Sequence, residues 1–246
     1  MFNYQIIIEY DGTNFVGWQK QKNGISVQST IEKILNKILK TKIKLHGSGR
    51  TDSGVHAEGQ SAHFELNYKI DNKFLFLNSV NFFLNKKKIS ILKIKKQTNE
   101  FHARFSAKKR EYRYVIVNRL APPSLDLNRA WHIRSSLNLK LMKQATNLLK
   151  GKKNFSTFRS SSCNAKSPIK TLDKALVKKT GKKIIITFKS KSFLQQQVRS
   201  MVGCLKYVGE GKWNLKKMEN IIKSKKRMNC APPAPAHGLY LFKVSY

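Results

Sequence analysis

The sequence predicts an α/β (α+β) protein of two similar subdomains, residues 1–108 and 109–246, with a cleft between them. Three observations carry that expectation. Short β-branched runs are bounded by turn pairs: YQIIIEY (Tyr4–Tyr10) stops at Asp11-Gly12, and Thr180-Gly181-Lys182-Lys183 divides Lys174–Lys179 from Ile184–Lys189 as in a hairpin. Between such runs, apolar residues recur at helical spacing. The order strand, helix, strand and further strands then occurs in each half, with the break just before Arg110 or at Ala121-Pro122-Pro123. A chain of 246 residues can bury one large core or two smaller ones.

Taken in order, Tyr4–Tyr10 is the first strand. The loop TNFVGWQKQ after it sets Phe15 and Trp18 among Gln19, Lys20, Gln21 and Lys22. Rings interleaved with cations suit RNA contact, and Trp18 suits a core equally well. Val27, Ile31, Ile34, Leu35, Ile38 and Leu39 mark a helix over Val27–Lys40, capped by Ser26 or opened by a Ser29–Glu32 capping box. Lys42–His46 and Gln60–Leu66 are strands, and the glycine-rich connection lies between them. Phe74–Leu84 reads as a buried helix, Lys86–Lys88 as a solvated charge run and Ile89–Lys96 as a strand. Phe101–Ala107 (FHARFSA) has no clear period and is a loop.

In the second half, Arg110–Asn118 is a strand with Tyr112 and Tyr114 on one face and Arg113 on the other. Leu137–Leu149 is an amphipathic helix ended by Gly151, and Gly151–Arg159 is a loop. After the hairpin, Phe193–Val208 is helical. Arg199 sits amid its apolar stripe, where a buried cation needs a carboxylate or an anionic ligand unless it snorkels to water. Leu215–Lys223 is a short helix, Lys223–Asn229 a basic loop, Ala231–Ala236 (APPAPA) extended, and Leu239–Tyr246 the closing strand.

Forty-nine Lys plus Arg stand against 13 Asp plus Glu, a net charge of +36. A polyanion is the expected partner, nucleic acid ahead of an anionic membrane surface. Thirty-nine of the 49 are Lys spread along the chain, so much of the charge is solvated surface. The ten arginines are more informative, because a planar fork is something Lys cannot copy. Cys163, Cys204 and Cys230 are far apart in sequence with no CxxC pair, and six scattered histidines show no HxxxH or HExxH spacing. Neither a zinc site nor a disulfide framework is expected. No run approaches the ~18 apolar residues of a membrane span, and Met1–Tyr10 reads as a strand rather than a signal peptide. The expectation is a cytoplasmic, reduced, metal-free and cofactor-free protein.

With so few acids, each can be weighed singly, and Asp52 stands apart. It lies in GSGRTDSGVHAEGQSAHF (Gly47–Phe64), where Gly47, Gly49 and Gly54 free the backbone and Arg50 is two residues away. A carboxylate beside a cation stays ionised, and small neighbours leave it reachable by a bulky substrate. That is a candidate carboxylate nucleophile; the plainer alternative is a polar turn in which Asp52 bonds nearby backbone N–H groups. His56 and His63, beside it, read as structural hydrogen-bonders, and the cysteines as packing residues.

Eight segments in one order carry a further reading: EYDGTNFVGWQKQ (Glu9–Gln21), SVQ (Ser26–Gln28), GRTDSGVHAEGQSAHF (Gly49–Phe64), FHARFSA (Phe101–Ala107), YRY (Tyr112–Tyr114), NFSTFR (Asn154–Arg159), VRSMVG (Val198–Gly203) and APAHGLYL (Ala234–Leu241). Over nearly its whole length the chain resembles the bacterial tRNA pseudouridine synthase A family. The resemblance implies a pseudouridine synthase fold: a mixed, mainly antiparallel central sheet from two similar RRM- or ferredoxin-like halves, helices outside and a basic cleft. It implies isomerisation of uridine to pseudouridine at nucleotides 38, 39 and 40 of the tRNA anticodon stem-loop, by a homodimer. It further implies that Asp52 is the catalytic aspartate and that Arg50 fills the space left by the flipped base. Tyr112 would contact the uracil ring, Arg199 would pair with Asp52, and Arg159 would bind RNA or line the cleft wall. One departure stands out. The family commonly has histidine just before the Val-Arg pair, where this chain has Gln195-Gln196-Gln197.

Balance supports the implied chemistry. One C–N bond is exchanged for a C–C bond and nothing is oxidised, so a nucleophile, a ring contact and base flipping suffice. A non-enzymatic RNA-binding or ribosome-assembly protein, and a paralogous synthase acting on another RNA, are the rival readings.

Overall fold

A computed structural model describes residues 1–246. The chain divides into two compact units, Met1–Lys108 with Tyr240–Tyr246, and Lys109–Leu239.

The first unit begins with strand β1 (Phe2–Tyr10), six of whose nine residues are buried, then helix α1 (Val27–Leu39). Ser26 is the cap of α1: its side chain accepts from Ser29 N–H, and the Ser29 hydroxyl answers the Ser26 backbone. The capping box is therefore Ser26–Ser29 and not Ser29–Glu32. Lys40 ends the helix in the left-handed region (φ 49°). Glu32 works elsewhere, and this corrects the expected strand at 42–46. Leu45 N–H bonds Glu32 Oε1 (3.0 Å), Ile43 N–H bonds Asn36 Oδ1 (2.7 Å) and the Leu45 carbonyl accepts from Gln28 (3.0 Å). Backbone groups of Ile43 and Leu45 are spent on α1 side chains, and laddering starts only at β2 (His46–Gly47). β3 (His56–Leu66) follows, then α2 (Lys73–Leu84) and β4 (Ile89–Gln97). α2 buries Phe76, Val80 and Leu84 but leaves Phe74, Leu75 and Phe82 exposed, so it is a half-covered helix rather than the buried one expected.

The second unit opens with β5 (Lys109–Asn118) and a short strand the sequence did not reveal, β6 (Trp131–Ile133), parallel to it. Helix α3 (Leu139–Leu148) is capped by Asn138. The expected loop after Gly151 instead contains β7 (Gly151–Asn154) and a 3₁₀ turn at Ser156–Phe158. β8 (Ile169–Thr180) and β9 (Lys183–Ser190) form the hairpin. Helix α4 starts at Gln197 and runs to Gly209, four residues later than its apolar period suggests, because Gln196 is left-handed (φ 60°). Helix α5 (Leu215–Ser224) follows. The last strand, β10 (Leu239–Ser245), lies parallel to β3, so the chain end belongs to the first unit, whereas the sequence reading ran the second subdomain to residue 246.

Each unit is thus a mixed, mainly antiparallel sheet with helices. In the first the order is β4-β1-β3-β10, with β2 also on β3; in the second it is β5-β9-β8-β7, with β6 also on β5. The pairs β1/β3, β1/β4, β2/β3, β5/β9, β8/β9 and β7/β8 are antiparallel. In the first unit β1, α1, β2, β3, α2 and β4 follow the order of a split βαβ fold. Tyr4, Ile6, Ile8, Ile31, Leu35, Phe64 and Leu66 fill its core; Tyr114, Ile186, Phe188, Met201, Val202 and Leu205 fill that of the second unit. No helix is long and apolar enough to cross a membrane.

Candidate active site

Asp52 lies on the connection from β2 to β3, half-buried, with Thr51 buried before it and Ser53 exposed after it. A connection rich in glycine would be mobile unless tied down, and this one is tied on both sides. From β3, the buried Gln60 side chain accepts from the Ser48 hydroxyl (2.8 Å) and donates to the Gly49 carbonyl (2.8 Å). Ser48 N–H also bonds the Ser61 carbonyl (2.7 Å). From the loop after β1, Trp18 N–H donates to the Thr51 carbonyl (3.1 Å), and the Phe15 carbonyl accepts from Gly54 N–H (3.3 Å) and the Ser53 hydroxyl (3.1 Å). The Tyr10 and Thr51 hydroxyls bond each other (2.8 Å). Asp52 itself closes a turn, its carbonyl accepting from Val55 N–H (3.2 Å), with Gly54 supplying the positive φ (75°) that the turn requires.

This arrangement explains the motif DGTNFVGW. Gly17 (φ 107°) brings its backbone against Thr51, and Trp18, only 3% exposed, packs its indole on Gly47. Trp18 is therefore core, which removes the RNA-stacking alternative for that ring. His56 is also structural, its Nδ1 accepting from Gly12 N–H (3.0 Å). Gln60, Thr51 and Tyr10 were not singled out in the sequence; their pairings span 11 to 41 residues, beyond any local spacing rule.

Arg50, on the same connection, is exposed. The other candidates belong to the second unit. Tyr112 is 8% exposed on β5, opposite Phe188, with its ring edge-on to Phe193 (5.1 Å). Tyr114 shares its face and Arg113 does not, as the alternation demands. Arg199 is half-buried on α4. Part of its charge is met by a backbone carbonyl: its Nε donates to Ala234 O (2.7 Å), while Ala234 N–H donates to Arg199 O (3.0 Å). Tyr114 helps hold the same segment, donating to Pro235 O (2.8 Å), and burial pushes its phenol pKa far up, so it stays a donor. Arg159 follows the 3₁₀ turn, and its neighbour Ser160 bonds Gln195 O (3.0 Å), tying the arginine to the segment that opens α4. There Gln197 is buried and its side chain accepts from Leu194 N–H (2.8 Å), which closes the start of α4. No group of three or more His, Cys, Asp or Glu is arranged to hold a metal ion.

The first unit therefore offers a carboxylate that is accessible but held by its backbone, with an exposed cation two residues away. The second offers a ring and two guanidinium groups on a firmly bonded frame. The sequence pattern of the tRNA pseudouridine synthase family matches residues 6–106 and 145–246, which include Arg50, Asp52, Arg159 and Arg199. A protein of Pelagibacter ubique described as tRNA pseudouridine synthase A is 59% identical over 246 residues, all of both chains. The chain belongs to the tRNA pseudouridine synthase A family. Relatives of the same description from Paramagnetospirillum magneticum (45% identical, all of this chain and 96% of the other) and Neorickettsia sennetsu (45%, 99% of each) agree along the whole length. The loop after β1 and the β2–β3 connection are bonded to each other, Phe101 and Ala103 are held by Asn3, His63 and Tyr246, and Ala234 and Pro235 by Arg199 and Tyr114.

Proposed function

We propose that this protein isomerises uridine to pseudouridine in tRNA, at nucleotides 38, 39 and 40 of the anticodon stem-loop, with Asp52 as the nucleophile. The observation that carries the reading is the state of Asp52: half-exposed, with the carbonyls and N–H groups around it bonded to β3 and to the loop after β1. A nucleophile gains from such fixing because its geometry need not be reorganised during the reaction. In the conversion the N1–C1′ bond breaks, a C5–C1′ bond forms, C5 loses its proton and N1 gains one. Atoms and electrons balance within the nucleotide, so no cofactor or metal is called for.

The remaining roles are those the family resemblance implies, and the chemistry of the side chains suits them. Arg50, exposed on the β2–β3 connection, fills the stack that the flipped uridine vacates. Tyr112 offers its ring and hydroxyl to the uracil, Arg199 pairs with Asp52, and Arg159 binds RNA phosphate. The enzyme acts in the cytoplasm as a homodimer. The test uses tRNA carrying 5-fluorouridine at position 39. Wild-type protein is expected to give a tight adduct or a rearranged fluorinated product, and Asp52→Ala neither. Equal adduct formation by both proteins, or unmodified uridines 38–40 after reaction with ordinary tRNA, overturns the assignment.

A further inference from the structure

The loop Phe101–Ala107 is fixed at every turn yet holds a large ring in solvent. Asn3 Nδ2 donates to the carbonyls of Thr98 (3.0 Å) and Phe101 (2.8 Å). Ala103 is gripped from two sides: its N–H donates to His63 Nδ1 (3.1 Å), and its carbonyl bonds the Tyr246 hydroxyl (2.9 Å). Within the loop, Ser106 N–H meets His102 O (2.9 Å), His102 N–H meets Ser106 Oγ (3.0 Å), and the N–H groups of Arg104 and Phe105 turn toward His102 Nδ1. Lys108 N–H, at the exit, bonds Ser245 O (2.8 Å). From this frame Arg104 and Phe105 project outward, and Phe105 is 75% exposed.

Phe105 is also the open end of a chain of ring contacts, edge-on between His63 and His102 and tilted between His102 and Phe105. The buried His63 ring lies 4.6 Å from His102, and His102 lies 4.4 Å from Phe105. The Arg104 guanidinium sits 5.5 Å from the Phe105 centroid. An exposed phenyl on a mobile loop needs no explanation. One held rigidly at the head of a ring ladder, with a guanidinium beside it and exposed Lys108 nearby, matches a base and its phosphate together.

We propose that Phe105 and Arg104 form a second RNA contact, Phe105 stacking on an unpaired base of the tRNA substrate and Arg104 meeting the adjoining phosphate. The contact rests on the tRNA-modifying reading above. It is remote from the chemistry: His63 lies seven residues beyond His56 along β3, roughly 23 Å of extended chain at about 3.3 Å per residue. Its contribution is therefore to binding and placement of the tRNA, and not to bond exchange at Asp52.

The experiment compares Phe105→Ala, Phe105→Leu and Phe105→Trp in steady-state pseudouridine formation on tRNA. Ala and Leu are expected to raise KM about tenfold, what one base–ring stack contributes, with kcat held and melting temperature unchanged. Trp is expected to restore the wild-type KM, and its emission, measured against the wild type's own tryptophans, to be quenched on tRNA addition. Arg104→Gln should reduce the slope of log KM against log salt by about 0.7, one phosphate contact on an unpaired strand. An unchanged KM for Phe105→Ala overturns the proposal, as does full rescue by leucine, which would signal burial against protein. A Phe105→Ala variant whose sedimentation changes along with its KM overturns it in favour of a protein contact. Absence of turnover in the wild type would instead strike the tRNA-modifying reading itself.

Discussion

Gly17 is pressed against the carbonyl oxygen of Thr51, so close that an added Cβ would come within 2.6 Å of it. The same oxygen accepts from the next residue, Trp18 N–H. The residue before the proposed nucleophile is thus set by a contact that tolerates no side chain, and Gly17 is left-handed besides (φ 107°).

Gly17→Ala is therefore expected to act twice, through backbone strain of roughly 1–2 kcal/mol and by pushing the Thr51 carbonyl away. Turnover should fall at least tenfold, with melting temperature down by several degrees. Gly181→Ala is the control. Its φ is also positive (58°) but nothing lies within 4 Å of the added carbon, so it should lose some stability and no activity. Calorimetry and single-turnover assays on the pair separate strain from displacement; loss of activity in both would mean the Thr51 contact is irrelevant.

Asp52→Asn removes the nucleophile while keeping its size and hydrogen-bonding backbone. Turnover is expected to fall by about a thousandfold or more, while tRNA affinity stays within about threefold, because phosphate contacts by Lys and Arg dominate binding. Filter binding beside single-turnover kinetics checks both. Parallel loss of affinity and rate would make Asp52 a structural residue.

Much of this site was legible in the sequence, for physical reasons. Glycine density and a lone carboxylate are visible in a chain with so few acids, and the alternation of Tyr112, Arg113 and Tyr114 follows from the strand period. What stayed hidden depends on distant partners. Gln60 reads as an ordinary strand residue until β3 places it beside Ser48 and Gly49. The stretch 42–46 has strand composition, but the α1 side chains of Glu32 and Asn36 take its N–H groups. Phe193 and Leu194 continue the apolar period of α4, yet the left-handed Gln196 delays the helix. Exposure of Phe105 was equally invisible, since composition marks an aromatic without saying which way it faces.

Gln60→Leu should be costly even though it introduces an apolar residue into a buried position. It removes the acceptor of the Ser48 hydroxyl and the donor to the Gly49 carbonyl, and losing the partner of a buried polar group costs about 1–3 kcal/mol. A drop in denaturant midpoint with unchanged m is expected, together with loss of activity beyond what stability explains. Wild-type activity in the variant would show that the β3 side of the Asp52 connection does no positioning.

His63 makes stability depend on pH. Burial, then the positive potential of His102 and His46, lowers its pKa to about 4 from an ordinary 6.5. Lys44 and Glu65 act on the adjoining His46, whose pKa is also lowered, burial first. The folded state thus favours neutral His63, which accepts the Ala103 N–H. Stability is full above about pH 6.5 and is lost as pH falls from there toward 4, because the unfolded chain binds the proton first. The slope approaches about 1.4 kcal/mol per pH unit for one proton. Urea midpoints between pH 7.5 and 5 should fall for wild type and vary less for His63→Asn, whose carbonyl still accepts the Ala103 N–H. Identical pH profiles would remove His63 as the source.

Tyr114 and Arg199 hold neighbouring carbonyls of one segment, Pro235 and Ala234, and should therefore be coupled. Tyr114→Phe leaves the Pro235 carbonyl without its donor, for about 1–3 kcal/mol. Arg199→Lys loses the Nε donor, since an ammonium cannot reproduce the guanidinium fork. Each alone is expected to lower stability and to slow turnover, Arg199→Lys more than Tyr114→Phe because it also alters the guanidinium assigned to Asp52. Once either bond is gone the segment is already loosened, so the second change should cost less. A double-mutant cycle on unfolding free energy should show a coupling of about 0.5–3 kcal/mol. Strict additivity would mean that the two side chains hold residues 234 and 235 independently, and that Tyr114 does not help position Arg199.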